Sequence, residues 1–179
     1  MNKMIRRFSQ VAALAAMAVT AFPVFARSAP EQDLSAQVRH QLVMLPFFNV
    51  FDDLNYSVNA GVVTLSGAVT QPVVKEDAGR VVKRIPGVLQ VVNNIRVLPL
   101  SSLDNRIRFA EYRAIFGYSD LYRYAMGANP SIHIIVENGH VTLTGVVSSQ
   151  ADKQVAYLRA NGVPGVFSVT NDLRVAERS

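Results

Sequence analysis

Three observations predict an α+β protein of two tandem αββαβ units, each a three-stranded sheet with two helices packed on one face. The phrase GVVTLSGAV at 61–69 returns as GHVTLTGVV at 139–147. At an offset of 78 the register then holds without a gap, so that Ala78 falls on Ala156, Pro86 on Pro164, Val91 on Val169, Asn93 on Asn171 and Arg96 on Arg174. Within each copy the apolar spacing changes from a period of two to one of 3.6 and back. One register kept over about 37 residues marks a tandem duplication of a unit of roughly 65 to 75 residues.

Each unit opens on a helix, about 33–45 in the first copy and 103–116 in the second. The strand candidates 54–58 and 132–136 are rich in β-branched or aromatic residues. Asn59, Ala60 and Gly61, and Glu137 to His140 in the second copy, supply residues that tolerate positive φ and read as hairpin turns. The next strand alternates, with Val63 and Leu65 matched by Val141 and Leu143. Gly67 and Gly145 interrupt that alternation and suggest a bulge or a close backbone approach.

Val74, Ala78, Val81, Val82 and Ile85 then fall on one face of a helix that Pro72 can start and Pro86-Gly87 can stop. In the second copy Ala151, Val155 and Leu158 are the expected face and Asn161-Gly162 the stop. Last strands are expected at 88–97 and 166–175. The repeated glycines Gly61, Gly67 and Gly87, with Gly139, Gly145 and Gly165, are read as structural. Two helices on one side of a sheet leave its other side open to solvent or to a neighbour. Only residues 99–102 separate the copies, so the units are expected to touch.

Ahead of the units, Lys3, Arg6 and Arg7 precede an apolar run at 11–25 that ends in Val24-Phe25-Ala26. The run is about 15 residues, short of the roughly 20 that cross a bilayer, and reads as an export signal over 1–26, cleaved near Ala26. The division is then 1–26 signal peptide, 33–99 first domain and 103–176 second domain. Without the signal, Lys plus Arg falls from 18 to 15 against 13 acids, and the net charge from +5 to +2. So balanced a chain lacks the dense basic stripe that duplex nucleic acid requires, and nucleic acid is not an expected partner. The absence of cysteine rules out disulfides, thiolate metal sites and a lipidated cysteine.

The pattern G-x-V-T-L-x-G-x-V, an alanine-bearing helix, and P-G-V-x-x-V-x-N-x-[IL]-x-V, all in tandem behind an export signal, resembles the BON domain family of bacterial envelope proteins. The resemblance covers nearly all of the expected mature chain. It implies a non-enzymatic periplasmic module of the kind associated with osmotic stress, outer-membrane integrity, anionic phospholipid binding and assistance to client proteins. One dual-domain branch of the family is a lipoprotein; this chain lacks the cysteine and is more similar to the soluble branch.

Candidates for chemistry are few. His133 and His140 bracket a hairpin beside Glu137, yet no third ligand is signalled, and a surface role is the expectation for both. Asp52 and Asp53 are adjacent on an extended segment and point to opposite sides, which suits capping better than a carboxylate pair. No phosphate loop or nucleophile motif is present, and neither catalytic residue, metal nor cofactor is expected.

The copies differ most between the first helix and the hairpin, where the second has about nine extra residues within 115–130. Arg113, Phe116, Tyr118, Leu121, Tyr122, Arg123 and Tyr124 gather there. Tyrosine suits the boundary between lipid and water, and arginine can meet lipid phosphate. These seven are the expected contacts to anionic phospholipid or an envelope membrane surface, although the same residues can serve domain packing or a protein partner. Phe47, Phe48 and Phe51 are read as core or inter-domain filling. The expected function is non-enzymatic binding in the periplasm, by association with anionic phospholipid in support of envelope integrity under stress. The alternative is a periplasmic chaperone or adaptor that holds protein clients on open sheet faces or edges.

Overall fold

The computed structural model describes residues 29–127 and 129–176; the expected export segment lies outside them. The first unit runs α1 (Ala29–Val43), β1 (Asp53–Asn59), β2 (Val62–Val69), α2 (Pro72–Lys83), β3 (Gln90–Asn93) and β4 (Arg96–Val97). The second runs α3 (Ser102–Phe116), a 3-10 turn (Tyr122–Ala125), β5 (Ile132–Glu137), β6 (His140–Val147), α4 (Gln150–Asn161), β7 (Ser168–Asn171) and β8 (Arg174–Val175). In each sheet the second strand is central. It pairs antiparallel with the first and parallel with the last, and the last strand comes in two pieces.

The break in that last strand differs from the continuous strands expected at 88–97 and 166–175, and the repeated asparagine explains it. Asn93 donates from Nδ2 to the Lys75 carbonyl of α2 (2.8 Å), and its Oδ1 accepts from the Ile95 amide (3.2 Å). Asn171 makes the same two bonds, to the Lys153 carbonyl of α4 and from the Leu173 amide. Each asparagine thus ties helix to strand and turns Ile95 or Leu173 into a core. Both hairpins close on two-residue turns in which Ala60-Gly61 and Asn138-Gly139 have positive φ, the type I′ pattern that matches strand twist.

On α2, Val74, Ala78, Val82 and Ile85 are buried as the spacing predicts, and Val81 is half-buried against the same core. The face expected for α4 is only partly right: Val155 packs against the second core. Ala151 is exposed and Leu158 is 60% exposed, while Asp152, Ala156, Ala160 and the following Val163 point inward. These are the positions that the offset of 78 assigns to Val74, Ala78, Val82 and Ile85. The expectation followed apolar residues alone, and the second copy has put an aspartate at an inward position.

The opening helices keep a different register. Glu31 accepts the Ala60 amide of the first hairpin turn, as Asp104 accepts the Asn138 and Gly139 amides of the second. Leu34 lies nearest Gly87, as Ile107 lies nearest Gly165. The helices therefore correspond at an offset of 73, and the second copy carries five extra residues rather than about nine. Val38 and Glu111 then occupy equivalent inward positions, and both are fully buried.

The units touch, as the short linker predicts. Ile135, on the side of β5 away from the second core, is buried against Ala68 and Leu98 of the first unit. Arg96 pairs with Glu137 (2.9 Å) and Thr144 donates to Asp53 (3.1 Å). The loop at 46–52 reaches across: Val50 enters the second core, and its carbonyl accepts the Ile134 amide of β5 (2.8 Å). Phe48 stacks on His133, as inter-domain filling requires. Phe47 departs from that expectation, being 63% exposed on a residue of positive φ.

Candidate functional site

The inserted segment folds mostly inward. Phe116, Leu121 and Tyr124 belong to the second core, so these three are not surface contacts, which corrects the expectation for them. Asp152 accounts for the placement of Tyr124 and its neighbour Arg123. Its inward carboxylate at the start of α4 would be a costly orphan, and the insertion supplies its partners. Tyr124 donates to Asp152 Oδ2 (2.8 Å), as do Arg123 (2.7 Å) and Ser149 (2.7 Å). Ser149 in turn caps the helix by accepting the Asp152 amide, and the Tyr124 hydroxyl accepts the Ser148 amide (2.8 Å). Burial alone would raise the Asp152 pKa, but the hydrogen bonds from Ser149 and Tyr124 and the Arg123 charge outweigh it and hold the carboxyl below its usual range.

Asp152→Ala removes the acceptor common to three donors and leaves the Tyr124 hydroxyl with nothing to donate to. A loss of about 2 to 3 kcal/mol is expected in denaturant unfolding. Tyr124→Phe, which removes the donor and spares the carboxylate, is expected to cost about 1 kcal/mol. Equal effects would refute the network.

Tyr118 is half-buried beneath the Arg159 guanidinium, 4.2 Å from the ring centroid. Tyr122 is 59% exposed, and Arg113 is exposed at the end of α3. Of the seven predicted contacts, Arg113 and Tyr122 are thus free at the surface, and Arg123 is partly exposed with its charge turned to Asp152.

The outer face of α3 carries what the insertion does not. Phe109 is 58% exposed and Tyr112 is 40% exposed, and both rings lean on Phe51, at centroid distances of 5.6 and 6.4 Å. Tyr112 also packs edge-on against Phe116 (5.0 Å), which roots the cluster in the core. Arg106 and Arg113 are exposed one turn to either side of Phe109, at i−3 and i+4. The opposite face holds Ile107, Glu111 and Ile115. The result is a rigid aromatic platform between two cations. Sequence reasoning missed Arg106, Phe109 and Tyr112, although the spacing 106, 109, 113 was available as its signal.

The expected surface histidines take different positions. His140 meets Ser168 (2.7 Å) at the exposed start of the paired strands β6 and β7. His133 is mostly buried, and burial lowers its pKa, against weaker opposing effects from Asp53, Asn49 and Asp52. No group of three metal-ligating side chains occurs among the described residues. Asp52 is a buried anchor that accepts the Thr70 amide (2.6 Å) and hydroxyl (2.8 Å) and the Asn49 amide (3.0 Å), while Asp53 points to the other unit. Burial pushes the Asp52 carboxyl up, and those hydrogen bonds act against it. Among the described residues no helix is long and apolar enough to cross a membrane.

The family model described as "BON domain" matches residues 30–99 and 123–177, more than half of the chain. The chain belongs to the BON domain family. A curated relative, osmotically-inducible protein Y of Escherichia coli strain K12, is 33% identical over 133 residues, which are 68% of this chain and 61% of the relative. The chain therefore spans about three-fifths of the length of the curated relative it matches. Two solved structures of CdsD, a structural protein of the type III secretion system of Chlamydia trachomatis, align at TM-scores of 0.30 and 0.29. They are 14% and 13% identical, over 81% of this chain and 94% and 98% of theirs; a likeness of that size does not extend to arrangement or function.

The second BON match begins at Arg123 and leaves out α3. The helix is nonetheless a full member of its unit, because Asp104 holds the hairpin turn and Ile107 and Ile115 sit in the core. In this BON protein the helix outside the match both completes the second unit and carries the aromatic and basic surface.

Proposed function

We propose that the chain is an exported, non-enzymatic binding protein of the bacterial periplasm that acts under osmotic stress, in keeping with the name of its relative. We further propose that it supports the envelope by docking on anionic phospholipid through the outer face of α3. The observation that carries this reading is the exposure of Phe109 and Tyr112 between Arg106 and Arg113. Exposed aromatic rings of this size on a rooted platform suit the interface between headgroup and acyl chain. Each flanking arginine contributes about 1 kcal/mol near an anionic leaflet, an attraction that salt weakens. Tyr122 is the one remaining contact from the insertion that can reach a membrane unpaired.

Co-flotation with liposomes tests it. The chain without residues 1–26 is expected to float with anionic vesicles at low salt, less at moderate salt, and not with neutral vesicles. Phe109→Ser/Tyr112→Ser should reduce flotation at both salts. Arg106→Gln/Arg113→Gln should reduce it most at low salt. Flotation unaffected by either pair would remove α3 as the contact, and no flotation at all would remove the lipid.

A further inference from the structure

The two sheets end on equivalent edge strands, but only one edge is covered. Two-residue turns fix which groups face outward: Ile132, Ile134 and Val136 on β5, and Leu54, Tyr56 and Val58 on β1. On β5, Val50 supplies a carbonyl to the Ile134 amide (2.8 Å), and Arg108 donates to the Val136 carbonyl (2.6 Å). Tyr56 is the counterpart of Ile134 at the offset of 78. Among the described residues, the outward amides and carbonyls of Leu54, Tyr56 and Val58 have no hydrogen-bond partner. Ser35, which stands where Arg108 does, reaches the Tyr56 hydroxyl instead of the strand backbone.

The open edge borders a groove of about 830 Å³ between the units. Leu42, Val43 and Phe48 line it from the first unit, and Val146 and Val175 from the second. Its charged lining residues are Arg39 and Arg174, both exposed and without an ion-pair partner among the described residues; no carboxylate lines it. His133 lies in the wall with a buried Nδ1 that has no partner. An unpaired strand edge beside apolar walls recognises extended backbone, and uncompensated guanidinium groups select a carboxylate.

We propose that this groove binds an extended polypeptide segment carrying a carboxylate, added as a strand to β1 with its charge held by Arg39 and Arg174. The Val50 carbonyl on β5 shows within the same chain how an extended segment satisfies such an edge. The site shares no residue with the outer face of α3.

The test uses fluorescence anisotropy of a labelled eight-residue peptide of alternating valine and threonine, with the chain lacking residues 1–26. The free-carboxylate peptide is expected to bind, and its C-terminal amide about tenfold more weakly, in keeping with loss of a charge-assisted contact. Arg39→Gln/Arg174→Gln should weaken the acid and leave the amide unchanged. N-methylation of alternate residues should abolish binding in one register and spare it in the other. Equal binding of acid and amide, or of both methylated registers, would overturn the proposal. So would absence of peptide binding, whether or not the chain self-associates through this edge in size-exclusion chromatography.

Discussion

Replacing Glu111 by valine is expected to stabilise the protein by several kcal/mol at pH 8 and to flatten the dependence of its stability on pH. Glu111 is fully buried in the second unit, and neither carboxyl oxygen has a hydrogen-bond partner among the described residues. Burial pushes its pKa up to about 8. The folded state thus holds the proton across a range in which the unfolded chain, with an ordinary carboxylate, releases it. The stability linked to this proton is fully present below about pH 4.5 and is lost as the pH rises to about 8. At about 1.4 kcal/mol per unit of separation, the loss is on the order of 4 kcal/mol. Valine already fills the equivalent position as Val38, with Leu34 and Leu42 one turn to either side, as Ile107 and Ile115 flank Glu111. Urea midpoints from pH 5 to 8.5 are expected to fall steeply for the parent and much less for Glu111→Val; parallel curves would show that the carboxyl is not held neutral.

Gly145→Ala is expected to prevent stable folding of the second unit. Gly145 has a φ of +114°, and a Cβ there would overlap the Ser131 carbonyl oxygen across the hairpin. Neither the strand backbone nor the carbonyl can yield, because Ser131 also donates its amide to Tyr124 and accepts that of Val146. Steric overlap and φ strain together place the cost above about 3 kcal/mol. Gly139→Ala is the control. Its Cβ would meet the side chain of Phe167, which is 71% exposed and can swing away, so the cost is the φ strain of about 1 to 2 kcal/mol. Circular dichroism melts separate the two, and equal losses would show that backbone approach is not what Gly145 serves.

The repeat made the hairpins, the glycine approaches and the inward face of α2 legible, because turn and close-packing glycines carry sterics that survive duplication. Three features were harder to see. Asp152 was passed over since apolar periodicity cannot register a polar residue facing inward, although its alignment with Val74 placed it there. Glu111 was hidden by the same rule, and by the shift from 78 to 73 across the insertion. Phe109 and Tyr112 failed in the opposite sense: helix α3 carries apolar residues on both faces, and sequence alone does not say which of them a sheet will cover. The insertion drew the membrane reading because it is the largest difference between the copies. The structure gives it other purposes: Phe116, Leu121 and Tyr124 fill the second core, and Tyr124 and Arg123 satisfy Asp152.

Docking on lipid through α3 is tested most directly at Phe109. The chain contains no tryptophan, so Phe109→Trp introduces a single reporter at the exposed centre of the platform. On anionic vesicles its emission is expected to shift to the blue and become shielded from an aqueous quencher, and on neutral vesicles to stay as in buffer. An emission unchanged by anionic vesicles to which the protein demonstrably binds would place the contact elsewhere and contradict the role assigned to this helix.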